Sequence, residues 1–108
     1  LYSSYGKNFV KTMMRLMEEK EELGIVVDQF GSPTYAGDLA SVILEIIGDA
    51  SQSADPYIPG IYHYSNEGVC SWYDFAKAIF DERNSNIKLI PIKSESSTTK
   101  IIAISPKF

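Results

Sequence analysis

A short run of β-branched residues leads directly into a loop of small and polar residues, which an amphipathic helix follows. The run is Ile25-Val26-Val27, and the loop, residues 28–34, reads Asp-Gln-Phe-Gly-Ser-Pro-Thr. The helix carries an apolar stripe formed by Tyr35, Leu39, Val42, Ile43, Ile46 and Ile47. A strand, a turn and a helix in this order form the repeating unit of α/β sheets. Because ligands bind at the carboxyl ends of the strands in such sheets, the loop is a candidate wall of a binding site.

Helices are predicted on both sides of this strand. An apolar face recurs at helical spacing from residue 8 to about residue 22, and Gly24 is expected to stop that helix. For the second helix, Thr34 is the predicted N-cap and Gly48 the predicted end. Asp38 falls in its first turn, where a negative charge interacts favourably with the helix dipole.

The second half of the chain continues the alternation. Residues 48–60 contain two prolines and end in Gly60, which predicts a polar connection. It is not interpreted as a domain boundary, because neither flank could bury its apolar face alone. Ser71 and Asp74 form a capping-box pattern that opens a third helix. The predicted strands in this half lie at residues 61–65, 87–92 and, weakly, 101–104. The order α-β-α-β-α-β predicts an α/β fold.

Charge and composition exclude several classes of function. Ten basic residues stand against 14 acidic ones, and the two arginines, Arg15 and Arg83, belong to no basic stripe. Nucleic-acid affinity depends on clustered Lys and Arg, so no nucleic-acid partner is expected. No apolar run approaches the about 20 residues that span a bilayer, so no membrane partner is expected either. The single cysteine, Cys70, excludes an internal disulfide and suits the cytoplasm, which is the expected location.

No residue set in this chain predicts catalysis or metal binding. His63 is the only histidine and sits mid-strand between two tyrosines, which favours a structural role. Cys70 has no companion motif. Tyr73 and Lys77 have the spacing of a reductase acid pair, but the capped helix already explains them. The chain also lacks a Gly-x-Gly-x-x-Gly turn and a phosphate-binding Gly-Lys-Ser/Thr loop. The residues alone predict a ligand-lining α/β unit without a reaction of its own.

Four segments in order give this chain a family resemblance. They lie at residues 1–13, 27–34, 60–63 and 71–76, and the most specific pattern is Asp28-Gln29-x-Gly31-x-Pro33-Thr34. Together they resemble the carboxyl-terminal part of the dTDP-4-dehydrorhamnose reductase family, over about residues 1–92. These enzymes are extended short-chain dehydrogenase/reductases with an NAD(P)-binding Rossmann-like fold. The resemblance implies that residues 1–108 form mostly the substrate-binding lobe of such an enzyme.

The resemblance also implies a reaction and a division of labour. Family members reduce dTDP-6-deoxy-L-lyxo-4-hexulose to dTDP-L-rhamnose with NADPH or NADH. The dinucleotide turn, the catalytic Ser/Thr and the Tyr-x-x-x-Lys pair are expected in an amino-terminal part that precedes residue 1. That part is expected to hold most of the cofactor, so this chain contributes no catalytic residue and should be inactive alone. A dTDP-sugar is its expected partner.

The residues that the resemblance places on the substrate crevice are Tyr2, Asn8, Gln29, Ser32, Pro33 and Thr34. Asn8 and Gln29 can hydrogen-bond sugar or phosphate oxygens. The helix that opens after Thr34 offers amides and a positive dipole end to an anion. Gly37 stands where some members of the family carry a magnesium-linked glutamate, so no metal site is expected.

Two other functions fit the same residues. One is a regulatory subunit that keeps the fold without turnover, and the other is the corresponding lobe of a nucleotide-sugar epimerase or dehydratase. A complete Tyr-x-x-x-Lys upstream would distinguish an enzyme from a regulatory subunit. For any of them, exposed strand edges and apolar faces predict that the isolated chain associates with itself.

Overall fold

The computed structural model describes residues 1–52 and 59–96, and it confirms the predicted α/β class. The helices are α1 (Phe9–Glu19), α2 (Ala36–Gln52) and α3 (Trp72–Glu82). The strands are β1 (Glu22–Val26), β2 (Phe30–Gly31), β3 (Cys70–Ser71) and β4 (Lys88–Ile92), followed by a 3₁₀ turn, Ser94–Ser96. No helix in this described part is long and apolar enough to cross a membrane.

Two small strand pairings position the loops. β1 and β4 pair in parallel from Glu22 opposite Lys88 to Val26 opposite Ile92, so both strands end at the same edge. The Val27 amide donates to the Ile92 carbonyl at 2.9 Å and extends this pairing by one bond. β2 and β3 pair antiparallel over two residues each. This second pairing brings the loop after β1 beside the start of α3.

The core lies between α1, α3 and the β1 strand. Met13 and Leu16 of α1 are 2% exposed, and Ala76 and Phe80 of α3 are 0% and 3% exposed. Leu23 and Ile25 of β1 complete this buried cluster. At one end of it the Phe9 ring lies 4.8 Å from the Trp72 ring and 5.3 Å from the Phe75 ring, measured between centroids. Aromatic pairs at such separations add to the stabilisation from area burial.

The first helix begins where predicted and ends earlier. Asn8 is its N-cap, and the side chain accepts from the Lys11 amide at 3.1 Å. The prediction that the helix runs to about residue 22 and stops at Gly24 is wrong. Residues 22–26 pair with β4 instead, and Gly24 lies opposite Ile90 within the strand pair. Glycine is also compatible with extended backbone, so its presence at position 24 does not by itself indicate the end of a helix.

The third helix confirms its capping box. The Asp74 amide donates to the Ser71 hydroxyl at 3.1 Å, and the Ser71 amide donates to the Asp74 carboxylate at 3.1 Å. Two of the free amides at the helix start are therefore satisfied by side chains. Past its end, Asn84 adopts φ 52°, a left-handed conformation that asparagine tolerates and that terminates the helix.

The bounds of α2 differ from the prediction at both ends. The helix starts at Ala36, and the carbonyl of Tyr35 accepts from the Asp38 and Leu39 amides. Thr34 is therefore not the N-cap, because its hydroxyl is used elsewhere in the loop. Gly48 does not end the helix either, since α2 continues to Gln52. None of the residues of α2 is buried.

Residues 61–65 do not form the predicted strand. They adopt no regular structure, and their side chains are exposed. A β-favouring composition stabilises a strand only when a neighbouring strand offers ladder bonds and a surface to pack on. No such neighbour pairs with this segment among the described residues. The weak strand predicted at 101–104 and residues 53–58 of the connection lie outside the described residues.

Candidate functional site

A cavity of about 520 Å³ opens where the loop after β1 faces the amino-terminal ends of α1 and α3. Five of the six residues that the sequence predicted for the crevice line it: Tyr2, Asn8, Gln29, Ser32 and Pro33. They come from two segments that are separate in the chain, before α1 and after β1. A short parallel bridge between Tyr2 and Tyr35 brings these segments together.

Thr34, the sixth predicted residue, is not part of the lining. It is buried, with 6% exposure, and its hydroxyl donates to the Ser32 carbonyl at 3.0 Å. The same oxygen accepts from the Asn66 amide at 3.2 Å. Thr34 therefore stabilises the loop through buried hydrogen bonds, next to the residues that line the cavity.

The loop between β1 and α2 is fastened to residues 66–68. The Ser32 hydroxyl donates to the Gly68 carbonyl at 2.7 Å, and the Asn66 side-chain amide donates to the Asp38 carboxylate at 3.1 Å. Gly68 adopts φ 93°, a conformation that favours glycine. These bonds join residues 28 or more positions apart, so they fix the loop through tertiary contacts.

Tyr2 and Asn8 hold the first segment in place. The Tyr2 amide donates to the Thr34 carbonyl at 3.0 Å, and its carbonyl accepts from the Ala36 amide at 2.9 Å. The Asn8 side chain caps α1 through its oxygen and donates from its nitrogen to the Ser3 carbonyl at 2.7 Å. The second amide hydrogen and second oxygen lone pair of Asn8 remain for other partners.

Gln29 is tied to the end of β4. Its side-chain nitrogen donates to the Ser94 hydroxyl at 3.1 Å, and its carbonyl accepts from the Trp72 amide at 3.3 Å. Ser94 in turn donates to Asp28 from its hydroxyl, at 2.6 Å, and from its amide, at 3.0 and 3.1 Å. The hydroxyl bond first, and then the amide bond, lower the pKa of Asp28.

Three further lining residues complete the chemistry of the cavity: Lys7, Trp72 and Phe75. The aromatic rings offer flat apolar surfaces to a base or sugar. Among the described residues that line the cavity, only Lys7 has a charged side chain. Its ammonium group can bind an anion. Sequence reasoning missed these three, although Lys7 precedes the Asn8 cap directly and Trp72 and Phe75 belong to the segment at 71–76.

The described residues offer little reactivity of their own. They contain no group of three His, Cys, Asp or Glu side chains that could hold a metal ion. Burial, and then the nearby Asp74 carboxylate, raise the pKa of Cys70, which makes its thiol less nucleophilic. Lys77 pairs with Asp81 at 3.0 Å, and His63 is exposed. The arrangement can therefore bind and orient a ligand that has a flat ring, an anionic group and hydrogen-bonding groups.

Comparison with known proteins identifies relatives over most of the chain. The family described as the RmlD substrate binding domain matches residues 1–103. The spore coat polysaccharide biosynthesis protein SpsK of Bacillus subtilis is 42% identical over 100 residues, which are 93% of this chain and 32% of that protein. The dTDP-4-dehydrorhamnose reductase of Aggregatibacter actinomycetemcomitans is 51% identical over 81 residues, 75% of this chain and 27% of that enzyme.

Solved structures agree with these relatives. A dTDP-4-dehydrorhamnose reductase from Bacillus anthracis, solved in complex with NADP, superposes with a TM-score of 0.76 at 46% identity. The corresponding reductase from Clostridium acetobutylicum gives 0.76 at 40% identity. Each comparison covers 87% of this chain and 31% of the reductase. The chain thus spans about a third of the length of the relatives it matches.

Proposed function

Because this chain belongs to the RmlD substrate-binding domain family, we propose that it forms the nucleotide-sugar wall of a dTDP-4-dehydrorhamnose reductase. The observation that carries this proposal is the cavity of about 520 Å³ at the carboxyl end of β1. It combines aromatic surfaces, one cation and several hydrogen-bonding side chains. Its size falls within the range of about 300–1,000 Å³ that is usual for small-molecule sites.

Each part of a dTDP-sugar finds a complementary group in the cavity. The rings of Trp72 and Phe75 offer surface to the thymine or the hexose, and the ammonium of Lys7 offers a positive charge to the pyrophosphate. Asn8 and Gln29 supply donors and acceptors for hydroxyl and carbonyl groups. The wall would therefore bind the activated sugar through several weak contacts with a defined orientation.

The cofactor does not fit the residues of this chain. The loop between β1 and α2 has one glycine, Gly31, where a dinucleotide turn needs several. The first turn of α2, which the sequence predicted to receive an anion, carries Asp38, and its negative charge weighs against a pyrophosphate there. We assign the binding of NADPH or NADH, and the proton donor, to polypeptide outside these residues. This chain would then act by positioning the keto-sugar, which is where much of the rate of a two-reactant step originates.

A direct binding measurement tests the wall. Calorimetric titration of the chain with dTDP-L-rhamnose should detect binding that weakens with added salt, because Lys7 meets a phosphate. Lys7→Gln should weaken that binding about threefold to tenfold, the effect of one charge-assisted contact of about 1 kcal/mol. Lys20→Gln, at the other end of α1, is the matched control and should bind as wild type. A folded chain with no affinity for dTDP-sugars would refute the proposal.

The same titration separates the proposed reductase from an epimerase or dehydratase. A wall built for a dTDP-sugar should bind dTDP-L-rhamnose in preference to UDP-sugars. Saturation-transfer NMR gives the contact map in both cases. Stronger transfer from this chain to UDP-sugars would favour the epimerase interpretation.

A chimaera tests the role in turnover. The Bacillus anthracis reductase, with its matching segment replaced by this chain, should reduce the keto-sugar with NADPH, while the chain alone should not. The 46% identity between the two makes the exchange structurally reasonable. A chimaera that is folded and binds NADPH but leaves the keto-sugar unchanged would count against the proposed role.

A further inference from the structure

We propose that Asp28 and Ser94 are positioning residues that orient the Gln29 side-chain amide, so that its carbonyl oxygen accepts a hydrogen bond from the bound ligand. The inference rests on the proposed function, because the ligand is the dTDP-sugar assigned to the cavity. It adds a specific role for two residues that are not in the lining of the cavity.

The strand register places the three residues together. β1 ends at Val26 and β4 ends at Ile92, and the two strands pair in parallel and in register. Asp28 and Ser94 each follow the last strand residue by two positions, so they meet at the carboxyl edge of the sheet. The two residues are 66 positions apart in the chain, so this is a tertiary contact that forms only when β1 and β4 pair.

The direction of the hydrogen bonds is fixed from Asp28 outward. An ionised carboxylate only accepts hydrogen bonds, and Asp28 receives both the hydroxyl and the amide of Ser94. The hydroxyl has one hydrogen, and the short 2.6 Å contact with Asp28 uses it. Towards Gln29 the Ser94 oxygen can therefore act only as an acceptor. The Gln29 group that lies 3.1 Å from it must then be the donating NH₂.

This direction determines what Gln29 presents to the cavity. With its nitrogen bound to Ser94, the amide keeps its carbonyl oxygen for a different partner, and no described residue donates to that oxygen. The Gln29 backbone is also fixed, because its carbonyl accepts from the Trp72 amide. A dTDP-sugar has two kinds of donor that could satisfy the oxygen, the imide N–H of thymine and the sugar hydroxyls. Holding the amide in advance reduces the entropy lost on binding.

A ligand-free measurement tests the orientation. The chain has two glutamines, Gln29 and Gln52, so glutamine-selective ¹⁵N labelling resolves two side-chain amides. In Ser94→Ala the Gln29 amide protons should exchange with solvent faster and shift towards the random-coil position, whereas Gln52 should not change. The backbone amide of Val27 reports whether the β1–β4 pair is intact. Unchanged Gln29 amide signals in an intact Ser94→Ala chain would overturn the inference.

A binding series tests the link to the ligand. Gln29→Met should weaken dTDP-L-rhamnose binding about fivefold to tenfold, and Ser94→Ala about threefold, while Ser94→Thr should restore wild-type affinity because it keeps the hydroxyl. Repeating the series with N3-methylated dTDP-L-rhamnose and with dTDP identifies the donor. The effect of Gln29→Met on affinity should disappear with the ligand that lacks the hydrogen-bond donor bound by Gln29.

The possible results separate this inference from the proposed function. Wild-type affinity in Ser94→Ala, or an equal loss in Ser94→Ala and Ser94→Thr, would overturn the positioning role while the dTDP-sugar site stands. Failure of the wild-type chain to bind any dTDP-sugar would refute the proposed function. The orientation of the amide would still be decided by the exchange measurement.

Discussion

Two regions of this molecule share the same kind of amphipathic pattern and have different surroundings. The α1–α3 region closes around Met13, Leu16, Ala76 and Phe80, all of which are buried. Helix α2 has a comparable apolar stripe, yet Ile43, Leu44, Ile46 and Ile47 stay between 40% and 68% exposed. An apolar stripe on a helix therefore predicts that another surface packs against it. It does not show whether that surface belongs to the same chain. The cavity lies on the closed side.

The largest expected contrast is in core stability. Phe80→Ala should destabilise the chain by about 3–5 kcal/mol, because it removes a buried ring from the α1–α3 core. The matched change on α2, Ile47→Ala, should stay within roughly 0.5 kcal/mol, because that side chain is exposed. Urea unfolding monitored by tryptophan fluorescence measures both. Equal losses would mean that α2 is packed in solution and would end the contrast.

The next effect concerns association. The predicted self-association of the chain should run through the exposed stripe of α2, since contiguous exposed apolar residues commonly mark an association surface. Replacing Ile43 and Ile47 together with glutamate should weaken association by about tenfold or more, or roughly 1.4 kcal/mol. Sedimentation equilibrium measures the change, with Ala40→Glu on the same helix as the control. A wild-type chain that remains monomeric at high concentration would contradict the prediction.

A smaller effect is expected at the start of α3. Ser71→Ala removes the hydroxyl that accepts from the Asp74 amide, leaves the backbone amide at position 71 that donates to Asp74, and should cost about 1 kcal/mol. Ser51→Ala is the matched control in α2, where the hydroxyl donates only to the Gly48 carbonyl within its own helix. Thermal unfolding followed by circular dichroism compares the two. If Ser51→Ala lowered the stability as much as Ser71→Ala, the N-cap would contribute no more than an ordinary helix hydroxyl.

The smallest effect depends on pH. Hydrogen bonds from Ser71 lower the pKa of Asp74, and those from Ser94 lower the pKa of Asp28, relative to the ordinary value of 3.8. A lowered folded-state pKa stabilises the fold above the unfolded value, and this contribution is lost as the pH falls through the folded value. The melting temperature should therefore decline slightly more below pH 4 in wild type than in Asp74→Asn. Parallel pH profiles for the two proteins would argue against the assigned cause.

The elements that sequence reasoning found are the ones with local signals. The Asn8 cap, the Ser71–Asp74 capping box and the strand at 88–92 were each indicated by residues within a few positions of one another. The end of α1 could not be found in this way. Residues 22–24 became strand because β4 lies opposite, more than 60 positions further on. The two-residue β2–β3 pair is also a long-range contact without a local pattern.

The candidate site divides in the same manner. Five predicted residues share the cavity because they lie in two short motifs that the family resemblance singled out. Their roles as substrate contacts remain predictions. Ser94 had no local signal, because its meaning depends on Asp28 and Gln29, 66 and 65 positions earlier. Thr34 was predicted for the wall from its motif, and only its burial shows that it faces the other way.

The contact between Asp28 and Ser94 also has a consequence for the order of synthesis. A ribosome makes residue 28 long before residue 94, and the bond between them can form only after β4 has emerged and paired. Until then the side-chain amide of Gln29 lacks its Ser94 partner, even where α1 has formed. A growing chain thus completes the Gln29 part of the cavity late, and premature termination before residue 94 would release a product that has the motif but lacks the Ser94 bond to the Gln29 amide.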